Sequence, residues 1–297
     1  MEPRIEREDF SLTLRELTSD ESRAEVSSYG AHLLSWGPSG QPCVVWRPKA
    51  VHVTPGTPIQ GGIPVALPWF GTGFSGGQVV SKTPRHGCAR LVFWEEDRSE
   101  GAPANVASYT LDSSRVPAKY LAQMESEGIP EFLASYTVEI GENLRATLKV
   151  TNTGKCAFTY EEALHTYLHV GSTAGAALEG LEGKDYLDAT LPGAPRKVQE
   201  HAPVRFDGPV DRIYMSRDEL TLRDQMLRRS ITVSKEGSKR TVVWNPGREA
   251  GDAIADLEKG EWNSFVCVEA ANCREDAVTL QPGESHILSQ TLSVSQG

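Results

Sequence analysis

The sequence predicts an all-β fold, a large antiparallel β-sandwich with few and short helices. Three observations carry this expectation. Apolar residues recur with period two in segment after segment, as in strands with one face on a core and one in water. Helical periodicity is confined to two short stretches. Gly and Pro, 27 and 18 in number, are spread through all 297 residues, so turns come often and no linker divides the chain. Sandwiches reach about 200–250 residues as one unit, and a single domain over residues 1–297 is expected.

In chain order, Phe10, Leu12 and Leu14 alternate with Ser11 and Thr13 as a first strand. Residues 136–151 give the cleanest pattern. Tyr136, Val138 and Ile140 share one face, Gly141-Glu142-Asn143 turns, and Leu144, Ala146, Leu148 and Val150 return on one face, with Glu139, Arg145 and Lys149 pointing the other way. That is a half-buried antiparallel hairpin. A second hairpin is expected over residues 231–244, around Lys235-Glu236-Gly237-Ser238. Residues 277–280 and 286–294 flank Pro282-Gly283 as another strand–turn–strand signal. Short helices are expected at 116–126 and 249–258; they do not alternate with strands, which argues against a parallel α/β sheet.

Composition narrows the function. Acidic residues outnumber basic ones 40 to 30, giving a net charge of −10, so a general role on nucleic acid or an anionic membrane is excluded for want of a positive field. The N-terminal Met1-Glu2-Pro3-Arg4-Ile5-Glu6-Arg7-Glu8-Asp9 is too charged for a secretory apolar segment, and no apolar run approaches membrane-spanning length. Cys43, Cys88, Cys156, Cys267 and Cys273 are scattered and odd in number, reading as reduced thiols. A cytoplasmic protein acting as a monomer is expected.

Four signals look chemical. Gly71-Thr72-Gly73-Phe74-Ser75-Gly76 matches G-x-G-x-x-G, but Gly77-Gln78-Val79-Val80 follows where a dinucleotide fold needs a helix, so a glycine-rich loop is the better reading. His165 and His169, preceded by Glu161 and Glu162, have a spacing that on a helix could bind metal. Tyr160, Thr166, Tyr167 and Val170 favour a strand instead; its i and i+4 positions share a face, so both histidines could line one pocket or simply sit in the sheet. In Phe265-Val266-Cys267-Val268-Glu269, alternation sets Phe265, Cys267 and Glu269 on one face. A carboxylate ending an apolar strand is costly unless bonded, and suits either a general base or a structural role. Asp211, followed by Arg212, is equally open between a site carboxylate and a surface pair.

Eight segments then come into one pattern. They are Thr57-Pro58-Ile59-Gln60-Gly61-Gly62-Ile63-Pro64-Val65, Pro68-Trp69-Phe70-Gly71, Arg85-His86-Gly87-Cys88-Ala89-Arg90, and Glu162-Ala163-Leu164-His165-Thr166-Tyr167. Val210-Asp211-Arg212-Ile213-Tyr214, Val242-Val243-Trp244-Asn245-Pro246, Val266-Cys267-Val268-Glu269-Ala270-Ala271-Asn272 and Leu280-Gln281-Pro282-Gly283-Glu284-Ser285-His286 complete it. In this order they resemble the hexose-6-phosphate mutarotases, the glucose-6-phosphate 1-epimerase branch of the aldose 1-epimerase superfamily. The resemblance spans most of the chain.

It implies a galactose-mutarotase-like β-supersandwich that uses no metal and no organic cofactor. It also implies roles: His165 as general acid, Glu269 as general base, Asp211 as a carboxylate holding sugar hydroxyls, and His86 among the substrate contacts. His169 becomes a supporting or substrate-contact candidate. In the implied reaction Glu269 takes the anomeric proton while His165 protonates the ring oxygen; the ring opens, the adjacent C–C bond rotates, and reclosure gives the other anomer. Such proton traffic calls for two opposed groups with pKa values near neutrality.

The phosphate end departs from the family pattern. That pattern places Arg where this chain has Gln60 and Gln where it has Arg85, and keeps Arg90. Loss of a guanidinium at Gln60 argues against phosphate; gain of one at Arg85 reads as an exchange inside one pocket, with Lys82 in reserve. The rival readings are an aldose 1-epimerase for unphosphorylated sugars and a non-catalytic carbohydrate-binding module with Trp69 or Trp244 as stacking surface. A glycoside hydrolase fits worse, because it needs two carboxylates about the scissile bond.

Overall fold

The computed structural model describes residues 4–7, 14–99 and 101–296. Phe10, Ser11, Leu12 and Thr13, which carry most of the first expected strand, lie outside these. Two large antiparallel sheets dominate. One has nine strands, in the order Val204–Arg205, Ala176–Glu179, Leu220–Asp224, Arg229–Glu236, Ser285–Gln296, Leu144–Asn152, Phe132–Ile140, Val106–Asp112 and Glu95–Glu96. The other has eight, running Arg196–Val198, Asp185–Asp188, Val210–Tyr214, Arg240–Asn245, Phe265–Asn272, Glu162–Leu164 and Val65–Ala66, with Tyr167–His169 also paired to Phe265–Asn272.

The expected hairpin at 136–151 is present as Phe132–Ile140 against Leu144–Asn152, with Tyr136 opposite Leu148 and Val138 opposite Ala146. Tyr136, Val138, Leu144 and Leu148 are wholly buried while Glu139 and Arg145 face outward. Each such apolar side chain contributes about 1.5–3 kcal/mol relative to exposure. A register slip of one residue would turn the whole set into water, which fixes the pairing.

The other two turn signals lead somewhere different. Strands Arg229–Glu236 and Arg240–Asn245 both form, but in different sheets, so residues 231–244 are a crossover between layers and not a hairpin. The crossing is at Gly237, in the left-handed region at φ 71°, where a Cβ would fall 1.8 Å from the Ile287 carbonyl oxygen. Alternation could not reveal this, because Ile231, Val233 and Val243 all point into the same interlayer core. Likewise Val278–Leu280 pairs with Phe158–Tyr160 in a small separate sheet, while Ser285–Gln296 runs between Arg229–Glu236 and Leu144–Asn152. The expected helices shrink to Ala118–Leu121 and Gly247–Gly251. Such short segments cannot repay helix nucleation, and local bonds such as Gln123 to both Thr83 N–H and Thr83 C=O take over.

The strand Phe265–Asn272 is buried along its entire length. Val266, Val268 and Ala270 enter the core between the sheets. Phe265, Cys267 and Ala271 lie on the outer face, the one turned away from the nine-stranded sheet, under two smaller apolar clusters. Polar links join the two sheets, one of them beside Glu269. Gln290, on the nine-stranded sheet, donates to the Val268 carbonyl at 2.9 Å and accepts from the Thr166 hydroxyl, all fully buried. Gln290→Leu is expected to lower the unfolding free energy by about 1–3 kcal/mol, since it leaves the buried Thr166 hydroxyl and Val268 carbonyl short of a partner; denaturant unfolding checks this through the midpoint at unchanged slope.

Candidate active site

On the outer face of the eight-stranded sheet, strand register alone brings two groups together. Leu164 lies opposite Ala270 and Tyr167 opposite Cys267, so the unchanged register sets His165, in the break between two short strands, opposite Glu269. His165 Nε2 is 3.5 Å from Glu269 Oε1. The backbone N–H of His165 donates to the Pro64 carbonyl at 3.1 Å, anchoring the break. His165 Nδ1 and Glu269 Oε2 are buried and have no partner among the described residues. A neighbouring row carries Asp211 opposite Trp244 and Trp244 opposite Cys267, which puts Asp211 on the same face.

Burial drives the two central groups apart in pKa. Glu269 is pushed well above the usual carboxylate range by desolvation, with Asp211 adding repulsion and Arg85 and Arg90 pulling the other way. His165 is lowered to about 3, first by burial, then by the positive charges of Arg90 and Arg85. The upward shift of Glu269 runs in the expected direction, whereas the expectation of a value near neutrality is corrected for His165, whose charged form is disfavoured by lack of water. Asp211 is raised by burial and held back by Arg85 and Arg274, with Asp188 opposing them.

The remaining expected residues form the rim. His86 adopts φ 61°, its N–H donating to Gly71 C=O at 2.7 Å while Gly71 N–H lies 3.3 Å from His86 Nδ1. Its ring meets that of His165 edge-on at 5.3 Å. Arg85 Nε lies 3.3 Å from His86 Nε2. A neutral imidazole cannot accept at both nitrogens, so with Nδ1 facing Gly71 we read the Arg85 approach as a contact and leave the proton on Nε2. Arg85 is exposed at the mouth; Arg90 is deeper, lowered to about 10 by burial, with Nη2 donating to the Arg85 carbonyl at 2.7 Å. Gln60 Oε1 accepts from the Tyr167 hydroxyl at 3.3 Å, so its amide N–H groups are the ones left to offer. The loop carrying it allows no side chain at Gly62, where a Cβ would sit 2.2 Å from Leu33 C=O at φ 68°.

Other expectations fall apart in space. His169 shares the strand face of His165, but its Nδ1 is 3.1 Å from the Cys43 carbonyl, on a different pocket wall. Glu161 accepts backbone N–H groups of Phe70, Phe74 and Arg274, so the metal-like trio Glu161, His165 and His169 does not converge. Lys82 lies over the Trp69 ring at 5.7 Å, and Trp69 is fully buried, which removes it as a stacking surface. Trp244 does reach the site, edge-on to His165 at 5.9 Å. Residues 71–77 lead into a two-stranded hairpin, Phe74–Ser75 with Gln78–Val79, and not a helix. A cleft of about 610 Å³ opens beyond Trp46, lined by Cys43, Arg47, Lys49, His169 and Glu261. Its histidine and its buried carboxylate are both engaged by backbone groups, so size does not locate the chemistry.

Sequence reasoning missed one residue of the site. Tyr167 stacks on His165 at 5.0 Å with an interplanar angle of 18°, and its position two residues along the same strand face was the available signal. Glu161, weighed with the disfavoured metal reading, is a loop anchor.

The aldose 1-epimerase family model matches residues 14–293. The chain belongs to the aldose 1-epimerase family. Among its relatives is a protein of Cenchrus ciliaris provisionally named glucose-6-phosphate 1-epimerase, 32% identical over 266 residues, which cover 88% of this chain and 78% of that one. An Escherichia coli K12 protein of the same provisional name is 29% identical, with 92% and 87% covered. A crystal structure of a Salmonella typhimurium protein provisionally described as a mutarotase superposes with a TM-score of 0.83 at 26% identity, covering 96% of this chain and 91% of the other. The aldose 1-epimerase chain thus shares the mutarotase-like sandwich expected of it.

One consequence for stability concerns the buried histidines of this epimerase-family chain. His32 and His165 are each lowered to about 3, and His86 is well below its ordinary value, chiefly by burial in every case. Between about pH 6.5 and 3 the unfolded chain takes up protons at His32 and His165 that the folded chain refuses, so stability falls as pH falls, by about 1.4 kcal/mol per pH unit for each of the two, and His86 acts in the same sense. His286, raised by Glu162, works in the opposite sense. Comparing His165→Asn with the parent cancels the others; the variant should lose about 1.4 kcal/mol per pH unit less on acidification, read from denaturant unfolding between about pH 6 and 4.

Proposed function

We propose that the protein interconverts the α and β anomers of a hexose 6-phosphate, glucose 6-phosphate first among them, by opening and reclosing the sugar ring. The observation that carries this reading is the cross-strand pair of His165 and Glu269, 3.5 Å apart and buried, each with one open polar atom. Glu269 accepts the proton of the anomeric hydroxyl. His165 delivers a proton to the ring oxygen, the ring C–O bond breaks, and an open-chain aldehyde forms. After rotation about the adjacent C–C bond, the ring hydroxyl attacks the aldehyde from its other face; His165 recovers its proton and Glu269 returns its own to the new anomeric oxygen. Asp211 and His86 hold sugar hydroxyls, and the Gln60 amide joins Arg85 and Arg90 about the phosphate.

The pKa shifts give the phosphate a second task. The ring-opening state needs Glu269 ionised and His165 protonated. Arg85 and Arg90 help the first and oppose the second. A phosphate dianion seated on the two guanidiniums offsets their field, which removes one cause disfavouring a protonated His165 while weakening their pull on Glu269. The names of the Cenchrus ciliaris and Escherichia coli relatives favour the same substrate. One feature favours turnover of free hexoses instead: Gln60 stands where the resemblance places Arg, and Arg85 is exposed.

Exchange NMR of anomers, run on glucose and glucose 6-phosphate side by side, tests both. Glu269→Gln keeps shape but cannot accept the proton, and His165→Asn cannot deliver one; each should slow anomerisation by roughly 100-fold or more without loss of folded protein. Near-parental rates in either variant would sink the mechanism. Arg85→Gln and Arg90→Ala should each cost about 1.5–3 kcal/mol in kcat/KM for the phosphorylated sugar, as loss of a charge-assisted contact does, and leave the free hexose nearly unaffected. Adding Gln60→Arg to Arg85→Gln should restore part of the loss. Equal effects on both sugars would put the free-hexose reading first.

A further inference from the structure

A histidine that moves protons is commonly oriented through its other ring nitrogen, by a hydrogen bond to a carboxylate or a backbone carbonyl. His165 has no such bond. Its Nδ1 is buried and without a partner among the described residues, and Nε2 faces Glu269 at 3.5 Å. The bond from the His165 N–H to Pro64 fixes the backbone but not the angle of the ring. What bounds the imidazole is a set of other rings. Tyr167 lies nearly parallel to it, at 5.0 Å and 18°, while His86 and Trp244 meet it close to perpendicular, at 5.3 and 5.9 Å.

The parallel ring is itself firmly seated. Tyr167 is buried, stacked on Trp46 at 5.9 Å, tilted against Phe265 at 5.1 Å and edge-on to Trp244 at 6.1 Å. Its N–H donates to the Gly62 carbonyl at 3.0 Å, and its own carbonyl accepts from the Trp46 N–H at 2.9 Å. The hydroxyl bond to Gln60 is long by comparison, at 3.3 Å, so rings and backbone set the place of this side chain more than its polar end does. A cation within about 6 Å of an aromatic face is attracted to it. The face of Tyr167 therefore works against Arg85 and Arg90, whose charges disfavour a protonated His165.

We propose that Tyr167 is a positioning residue for the acid: its ring face sets the plane of the His165 imidazole where no hydrogen bond does, and favours the protonated imidazole that ring opening requires. This rests on the proposed anomerisation by His165 and Glu269 but not on the phosphate. The ring carries the role, and the hydroxyl is dispensable for it.

The test divides ring from hydroxyl, with anomerisation rates taken per folded protein on whichever of glucose 6-phosphate and glucose the parent turns over faster. Tyr167→Phe keeps the stack and should keep kcat within about two-fold of the parent. Tyr167→Leu removes the face; kcat should fall about 10- to 100-fold with KM nearly unchanged, the scale on which a slightly misplaced catalytic group loses rate. On a His165→Asn background the same leucine should cost little more, because residues that act as one unit are not additive. Replacing Tyr167 by pentafluorophenylalanine keeps the shape of Phe but reverses the charge of its face. Its kcat should fall about 3-fold or more below that of Tyr167→Phe, which keeps the test decisive if the leucine variant does not fold. Four results would each overturn the assignment: Tyr167→Phe losing as much as Tyr167→Leu, a folded Tyr167→Leu with parental kcat, an equal loss on the His165→Asn background, or a fluorinated ring as active as Tyr167→Phe. His165→Asn at the parental rate is a distinct result, and it removes the acid–base reading and this role together.

Discussion

A carboxylate with almost no access to water sits on a strand that is buried along its whole length. Tolerating Glu269 there shapes much of what surrounds it. An isolated buried anion is too costly to keep, so the environment either neutralises it or supplies cations. Both occur: Glu269 is biased toward its protonated form by burial, while Arg85 and Arg90 bear on it from the rim. His165 arrives from the next strand by register alone and has its own charge suppressed by the same dryness. Burial thus favours the neutral form of each member of the pair, while the charge of the site lies in the guanidiniums at its rim.

The scaffold makes this possible because both faces of one strand are covered by different structures. Inward, Val266 and Val268 join the interlayer core; outward, Phe265 and Cys267 lie beneath Trp46 and Tyr167. The strand is therefore rigid on either side of Glu269, and Gln290 ties its backbone to the opposite sheet at Val268. The spacing of His165 and Glu269 is set by regular structure, whereas Gln60, Arg85 and His86 hang on loops at the rim.

How much of this could be read from the chain follows the same division. Alternation exposed the faces of 136–151 and set Glu269 with Cys267 and Phe265, because period two is a local property of a strand. It could not say which strand lies beside which, and so residues 231–244 read as a hairpin when Gly237 in fact carries the chain across the core. His165 and Glu269 were legible as chemical types but became a pair only through the resemblance; their separation of 104 positions in the chain is closed by pairing that no local pattern encodes. Glu161 was misleading for a physical reason. A carboxylate that accepts three backbone N–H groups and one that binds a metal need the same residue, and only the surrounding backbone tells them apart.

The anchoring by Glu161 also bears on how the protein fails. One side chain fastens both the glycine-rich loop and the turn at Arg274, and its pKa is raised by burial. Neither rim segment has a large apolar core of its own, so their order leans on this fastening and on a few bonds such as those between His86 and Gly71, whereas the sheets are held by dozens of buried side chains. Opening of such a locally held region needs far less free energy than opening the whole fold. On warming, the rim should come loose while the sandwich is still intact, and catalytic inactivation should set in at a temperature below the one at which the sheets melt.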